Sequence, residues 1–153
     1  MKNVRARWPN YNEDWRVALA VHADLQQMGM PRANLLLVGV DDRLQRILEL
    51  LSRDYREPVA VWTPDQQLVL PATDTVKTLI LRDVGSLSHV DQGRLYNWLD
   101  EAAGRTQVVC TTPERLLPRV HAGAFMAALY YRLNVLYVEV PETFVPQPQS
   151  LAS

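Results

Sequence analysis

The run Leu35-Leu36-Leu37-Val38 is apolar at every position and is closed by Gly39. Side chains of a strand alternate between its two faces, so such a run needs cover on both sides, the situation of a strand inside a parallel sheet. The pattern recurs in Val59-Ala60-Val61-Trp62, Thr78-Leu79-Ile80-Leu81 and Gln107-Val108-Val109-Cys110, and a fifth strand is expected over 135–140. Helical spacing separates the runs. Asn12 precedes a stripe of Trp15, Ala18, Leu19, His22, Leu25 and Met28 that stops at Gly29 and Pro31. Asp41 or Asp42 can cap a second helix with the stripe Leu44, Ile47, Leu48 and Leu51. Ser88, with Asp91 three residues on, can cap a third, whose apolar face is Leu95, Trp98, Leu99 and Ala102 and whose stop is Gly104. Strands alternating with helices predict an α/β fold, a three-layer α/β/α sandwich around a parallel five-stranded sheet.

With 153 residues, 48% of them hydrophobic, the chain can bury one good core and is read as a single unit over 1–141 with a Pro-containing tail at 142–153. Sixteen basic residues against 17 acidic ones give a net charge of -1, which carries no overall footprint for nucleic acid or an anionic membrane. Lys2, Arg5 and Arg7 form a local cluster that reads as a solubilising terminus. One cysteine, Cys110, excludes an internal disulfide and suits a reducing compartment, and no stretch has the length of a membrane span, so the cytoplasm is expected. His22, His89 and His121 have no metal-ligand spacing. Ser88 has a complete role as a cap, and no G-x-S-x-G elbow supports a hydrolase.

The segment Leu129-Tyr130-Tyr131-Arg132-Leu133-Asn134-Val135, preceded by Gly123-Ala124-Phe125, resembles the arginine-finger segment of the AAA+ ATPase domain in sigma-54-dependent transcription activators. That segment typically reads G-x-F-R-x-D-L-Y-Y-R-L-N-V. Thr78-Leu79-Ile80-Leu81-Arg82-Asp83-Val84-Gly85-Ser86-Leu87-Ser88 likewise resembles the family's Walker B block, and Gln92, Leu95, Trp98-Leu99 and Glu101 match the helix after it. The resemblance covers about nine-tenths of the chain, from the first helix to Pro141. It implies a P-loop NTPase-like core of strand order 5-1-4-3-2. It also implies bacterial transcription regulation, of the response-regulator kind, with ATP or ADP and magnesium as the family's ligands.

The residues that handle nucleotide in that family are largely replaced here. A P-loop needs a second Gly so that backbone amides can wrap the phosphates, a Lys to neutralise them, and a hydroxyl for the metal. The matching segment, Gly39-Val40-Asp41-Asp42-Arg43-Leu44-Gln45-Arg46, has Leu44 for that Gly, Gln45 for the Lys and Arg46 for the hydroxyl, and it adds two carboxylates that would repel phosphate. Arg82 stands for the metal-holding Asp, and Asp83 for the Glu that orients water. The sensor position reads Cys110-Thr111-Thr112-Pro113, and Met126 replaces the first finger arginine, leaving Arg132. Between Trp62 and Thr78 there is room only for a short connection in place of the family's sigma-contacting G-A-F-T-G-A loop, and no helical lid follows Pro141.

The remnant nucleotide-site positions are therefore Gly39, Asp41, Asp42, Gln45, Arg46, Arg82, Asp83 and Thr112. No catalytic residue, metal or retained cofactor is expected. Asp83 reads as a strand-end polar residue paired with Arg82, or else as a residual base; Arg132 as an interface arginine or a locally paired one. Trp62 is expected to cover an exposed face or offer an interaction patch. The expected function is a non-catalytic domain working by contact with a protein partner such as a AAA+ activator or signalling protein, as a monomer or small homo-oligomer. The alternative is a regulator that still binds ADP or ATP without efficient hydrolysis.

Overall fold

The computed structural model describes residues 14–140. The cluster at Lys2, Arg5 and Arg7, the cap at Asn12, the side chain of Trp15 and the tail from Pro141 lie outside the described residues. In chain order the elements are α1 (Asp14–Gln27), β1 (Leu35–Val38), α2 (Asp41–Leu51), β2 (Val59–Trp62), β3 (Thr78–Leu81), α3 (His89–Ala102), β4 (Gln107–Thr112), α4 (Leu117–His121), α5 (Ala127–Leu133) and β5 (Leu136–Glu139). Single 3-10 turns follow α2 and β3, at Ser52–Asp54 and Val84–Ser86.

All five strands are parallel, in the order β2-β3-β4-β1-β5, with β1 between β4 and β5. This is the order 5-1-4-3-2 that the family resemblance implies. Strand alternation sorts the core into two layers. On one face Leu35, Leu37, Ile80 and Val109 meet α1 and α2 through Val21, Leu44, Ile47 and Leu51. On the other, Leu36, Leu79, Leu81, Val108 and Cys110 meet α3 and α5 through Leu95, Trp98, Leu99, Leu129 and Leu133. Cys110 is fully buried and its thiol is held well above the usual range by desolvation, as fits a packed side chain.

The third helix forms as its sequence dictates: the Ser88 hydroxyl accepts from the Asp91 amide at 3.1 Å, and Gly104 closes the element at φ +79°. Two expectations fail. The second helix is capped by Val40, which makes no side-chain hydrogen bond, while Asp41 and Asp42 already lie in its first turn. There they favour the positive helix end as charges rather than as caps. Trp62 is buried at 7% exposure, not a surface patch, because residues 63–77 fold back over it: Leu68 joins its cluster and the Gln66 carbonyl accepts from its indole at 3.0 Å. The same segment is fastened to α3, with the Trp98 indole donating to the Pro71 carbonyl at 2.7 Å and Arg94 to the Leu68 carbonyl at 3.0 Å.

Candidate functional site

The carboxyl ends of β1, β3 and β4 surround a cleft of about 220 Å³ lined by Gly39, Asp41, Leu44, Arg82, Asp83 and Thr112, among others. This is the general ligand position of an open parallel sheet. Its first wall follows from a close approach. A Cβ on Gly39 would lie 2.9 Å from the Val140 carbonyl oxygen, while the Val140 amide donates to Val38 at 2.7 Å. Gly39 is thus required for the passage of two backbones. Gly39→Ala is expected to cost about 1–3 kcal/mol through a forced backbone shift, read as a lowered urea midpoint.

After Gly39 the chain enters a helix at once. The Leu44 amide donates to the Val40 carbonyl at 3.0 Å, and Leu44 is buried against the α1 and α2 layer. The amides from Leu44 onward are therefore committed to the helix.

Arg82, at the end of β3, reaches across the cleft to α2. One Nη of its guanidinium lies 3.0 and 2.9 Å from the two carboxylate oxygens of Asp41. With its amide turned to match donor to acceptor, Gln45 also accepts from Arg82, the bond from Nη1 being 2.7 Å. The expected partner was Asp83, but neighbouring residues at a strand end diverge, and Asp83 leaves the strand in the left-handed region at φ 49°, ψ 57°. Asp tolerates that conformation better than most residues. Here it starts a tight turn whose Ser86 amide and hydroxyl both donate to the Asp83 carbonyl, at 3.0 and 2.7 Å.

The sensor hydroxyls are engaged within the chain. Thr111 accepts from the Asp83 amide at 3.1 Å, and Thr112 donates to the Glu114 carbonyl at 2.7 Å. Arg46 turns away from the cleft. With Arg43 it grips Asp14 of α1, at 2.6 Å from Arg46 and at 3.0 and 2.8 Å from Arg43. Asp42 does not line the cleft either. Of the sequence-derived positions, the structure brings together Gly39, Asp41, Gln45, Arg82, Asp83 and Thr112.

Arg132 lies at the other end of the sheet, where α5 finishes. It pairs with Asp100 of α3 and stacks over Tyr96, its guanidinium carbon 5.2 Å from the ring centroid. The locally paired reading of this residue describes its contacts within the chain. The start of its helix depends on a residue whose role the sequence did not reveal. Gln92 of α3 is buried; its amide nitrogen donates to the carbonyls of Leu87 and Ala124 at 3.0 and 3.2 Å, and its oxygen accepts from the Met126 amide at 2.8 Å. The signal available was a Gln on the apolar side of α3, a placement that demands partners. Among the described residues no group of His, Cys, Asp and Glu could hold a metal ion, and no helix is long and apolar enough to cross a membrane.

Comparison with known proteins bears on the fold and the family. The chain is 36% identical over 75 residues to the transcriptional regulatory protein ZraR of Escherichia coli, and 31% over 75 residues to the HTH-type transcriptional regulatory protein TyrR of Salmonella typhimurium. Each match spans 42% of this chain but only 17% and 15% of those proteins. Among solved structures, NtrX from Brucella abortus in complex with ADP superposes with a TM-score of 0.62 at 14% identity, over 84% of this chain and 36% of that one. The P-loop NTPase domain of a sigma-54 transport activator from E. coli gives 0.56 at 19% identity, over 86% of this chain and 99% of that one. At such identities the superpositions speak for the fold, a P-loop NTPase core of the AAA+ type. The model of the sigma-54 interaction domain matches residues 51–143, more than half of the sequence, and the chain belongs to that family.

Proposed function

We propose that this domain acts in transcription regulation through protein–protein contact, without turning over ATP. The observation that carries the reading is the contact of Arg82 with Asp41 and Gln45 across the cleft. The family pattern sets a metal-binding carboxylate at 82 and a phosphate-binding lysine at 45. Here a cation occupies the metal-side position and is already neutralised by a carboxylate from the phosphate side. Magnesium with a triphosphate does not fit these residues: the metal would meet a guanidinium, and the phosphates would meet Asp41. The cleft, at about 220 Å³, is also smaller than the roughly 300–1,000 Å³ of sites that take drug-sized ligands, and a nucleoside triphosphate is larger than its volume admits.

Support for a contact role comes from the opposite end of the sheet. An apolar depression of about 550 Å³ is lined there by Met30, Leu99, Tyr131, Arg132 and Val135, with Tyr131 at 68% exposure. The relatives are named as transcriptional regulators, and a AAA+ activator or a signalling protein is the partner class that follows. The test combines three measurements on purified protein: magnesium-dependent phosphate release, fluorescent-nucleotide titration and light scattering. The expected results are release at background, no saturable binding, and a monomer or dimer whose mass is unchanged by ATP, ADP or magnesium. Release well above background or a nucleotide-dependent hexamer would overturn the proposal. Micromolar nucleotide binding sensitive to Arg82→Ala would establish a nucleotide-binding regulator instead.

A further inference from the structure

A second cavity, of about 240 Å³, opens at the amino ends of β1, β3 and β4, the end of the sheet opposite the Arg82 cleft. Its floor is apolar, made by Leu25, Leu35 and Leu51, all buried in the layer between the sheet and α1 and α2. Around this floor stand Arg32, Arg56 and Lys77. Arg43, Arg46, Arg82, Arg94, Arg115 and Arg132 each form a salt bridge with an acidic partner. Arg32, Arg56 and Lys77 form none among the described residues. Among the described residues the one carboxylate lining the cavity, Asp54, lies 3.3 Å from the His22 ring nitrogen.

Three like charges lining one recess, exposed at Arg32 and Arg56 and half-buried at Lys77, give it a positive field that an anion relieves. The wall also holds Tyr55, whose phenol oxygen is buried with no hydrogen-bond partner among the described residues. Burial raises its ionisation well above the ordinary tyrosine range, so this hydroxyl stays protonated and is a donor in want of an acceptor.

We infer that this cavity is a binding site for a small organic carboxylate, with its apolar body on Leu25, Leu35 and Leu51 and its charge toward Arg32, Arg56 and Lys77. The volume admits a fragment-sized molecule and not a nucleotide. The site is independent of the Arg82 cleft and does not rest on how that cleft is read.

The experiment is a titration of the full chain, labelled with 13C in its leucine methyl groups, with benzoate, benzyl alcohol and inorganic phosphate in turn. Benzoate is expected to shift the methyls of Leu25, Leu35 and Leu51 saturably, with a dissociation constant on the order of 1 mM. Benzyl alcohol, which lacks the charge, and the double variant Arg56→Gln, Lys77→Gln are each expected to bind at least tenfold more weakly. Arg56 is exposed and Lys77 half-buried, and unchanged methyl signals from the α3 layer check that the variant is folded. Failure of benzoate to saturate, or equal affinity in the double variant, would overturn the site. Phosphate binding as tight as benzoate would overturn the assignment of an apolar body to its ligand.

Discussion

Asp14→Ala is expected to be among the most destabilising single changes in the chain, lowering the free energy of unfolding by about 3–5 kcal/mol. The Asp14 side chain is 2% exposed and is the anchor for both Arg43, 11% exposed, and Arg46, 42% exposed. Removing it leaves the Arg43 guanidinium buried without that carboxylate, which costs far more than the loss of a surface pair. Arg46 contributes less, because water can take over its hydrogen bonds. The ordering Asp14→Ala well above Arg46→Ala, measured by urea denaturation, checks the assignment. Equal small effects would show that α1 is held by its apolar contacts, Val21 and Leu25, alone.

Gln92→Leu is expected to cost about 2–4 kcal/mol, from two carbonyls and one amide that lose their side-chain partner at buried and part-buried positions. The volume change is small, so packing does not explain a loss of that size. The three groups belong to the turn before α3 and to the segment leading into α5, so the damage should concentrate where Arg132 and Tyr131 are presented. Hydrogen exchange is the direct readout: the Met126 amide and the first turn of α5 should lose protection ahead of β1 and β4. Uniform loss across the sheet would mean that Gln92 serves global stability only.

These two side chains also mark where the sequence was readable and where it was not. Leu35 to Val38 declared a covered strand because no polar residue interrupts it, and Ser88 declared a helix start because its hydroxyl and Asp91 have the capping interval. Both signals are local. The grip of Arg43 and Arg46 on Asp14 spans 29 and 32 residues and depends on how α1 crosses α2, which periodicity does not encode. Trp62 was misread for a similar reason: its cover comes from Leu68 and the loop around it, a segment with no regular pattern. The short helix α4 gave no periodic signal either, having only five residues. At the cleft, the resemblance implied Gly, Lys and Asp where the sequence has Leu44, Gln45 and Arg82. The partner of Arg82 was not legible there, since Asp83 is adjacent in the chain but turned aside by its left-handed backbone.

The bond between Arg82 and Asp41 carries an evolutionary consequence. Arg82→Asp alone would restore the family's acid but set it against Asp41, two carboxylates where one ion pair had been. Gln45→Lys alone would restore the family's lysine but place it against the guanidinium that Gln45 now contacts. Each reversion is unfavourable until the other has occurred, so their effects are strongly non-additive. On the function proposed above, a return to nucleotide chemistry would cross a valley of less stable intermediates, and the cleft would be protected from drifting back one substitution at a time.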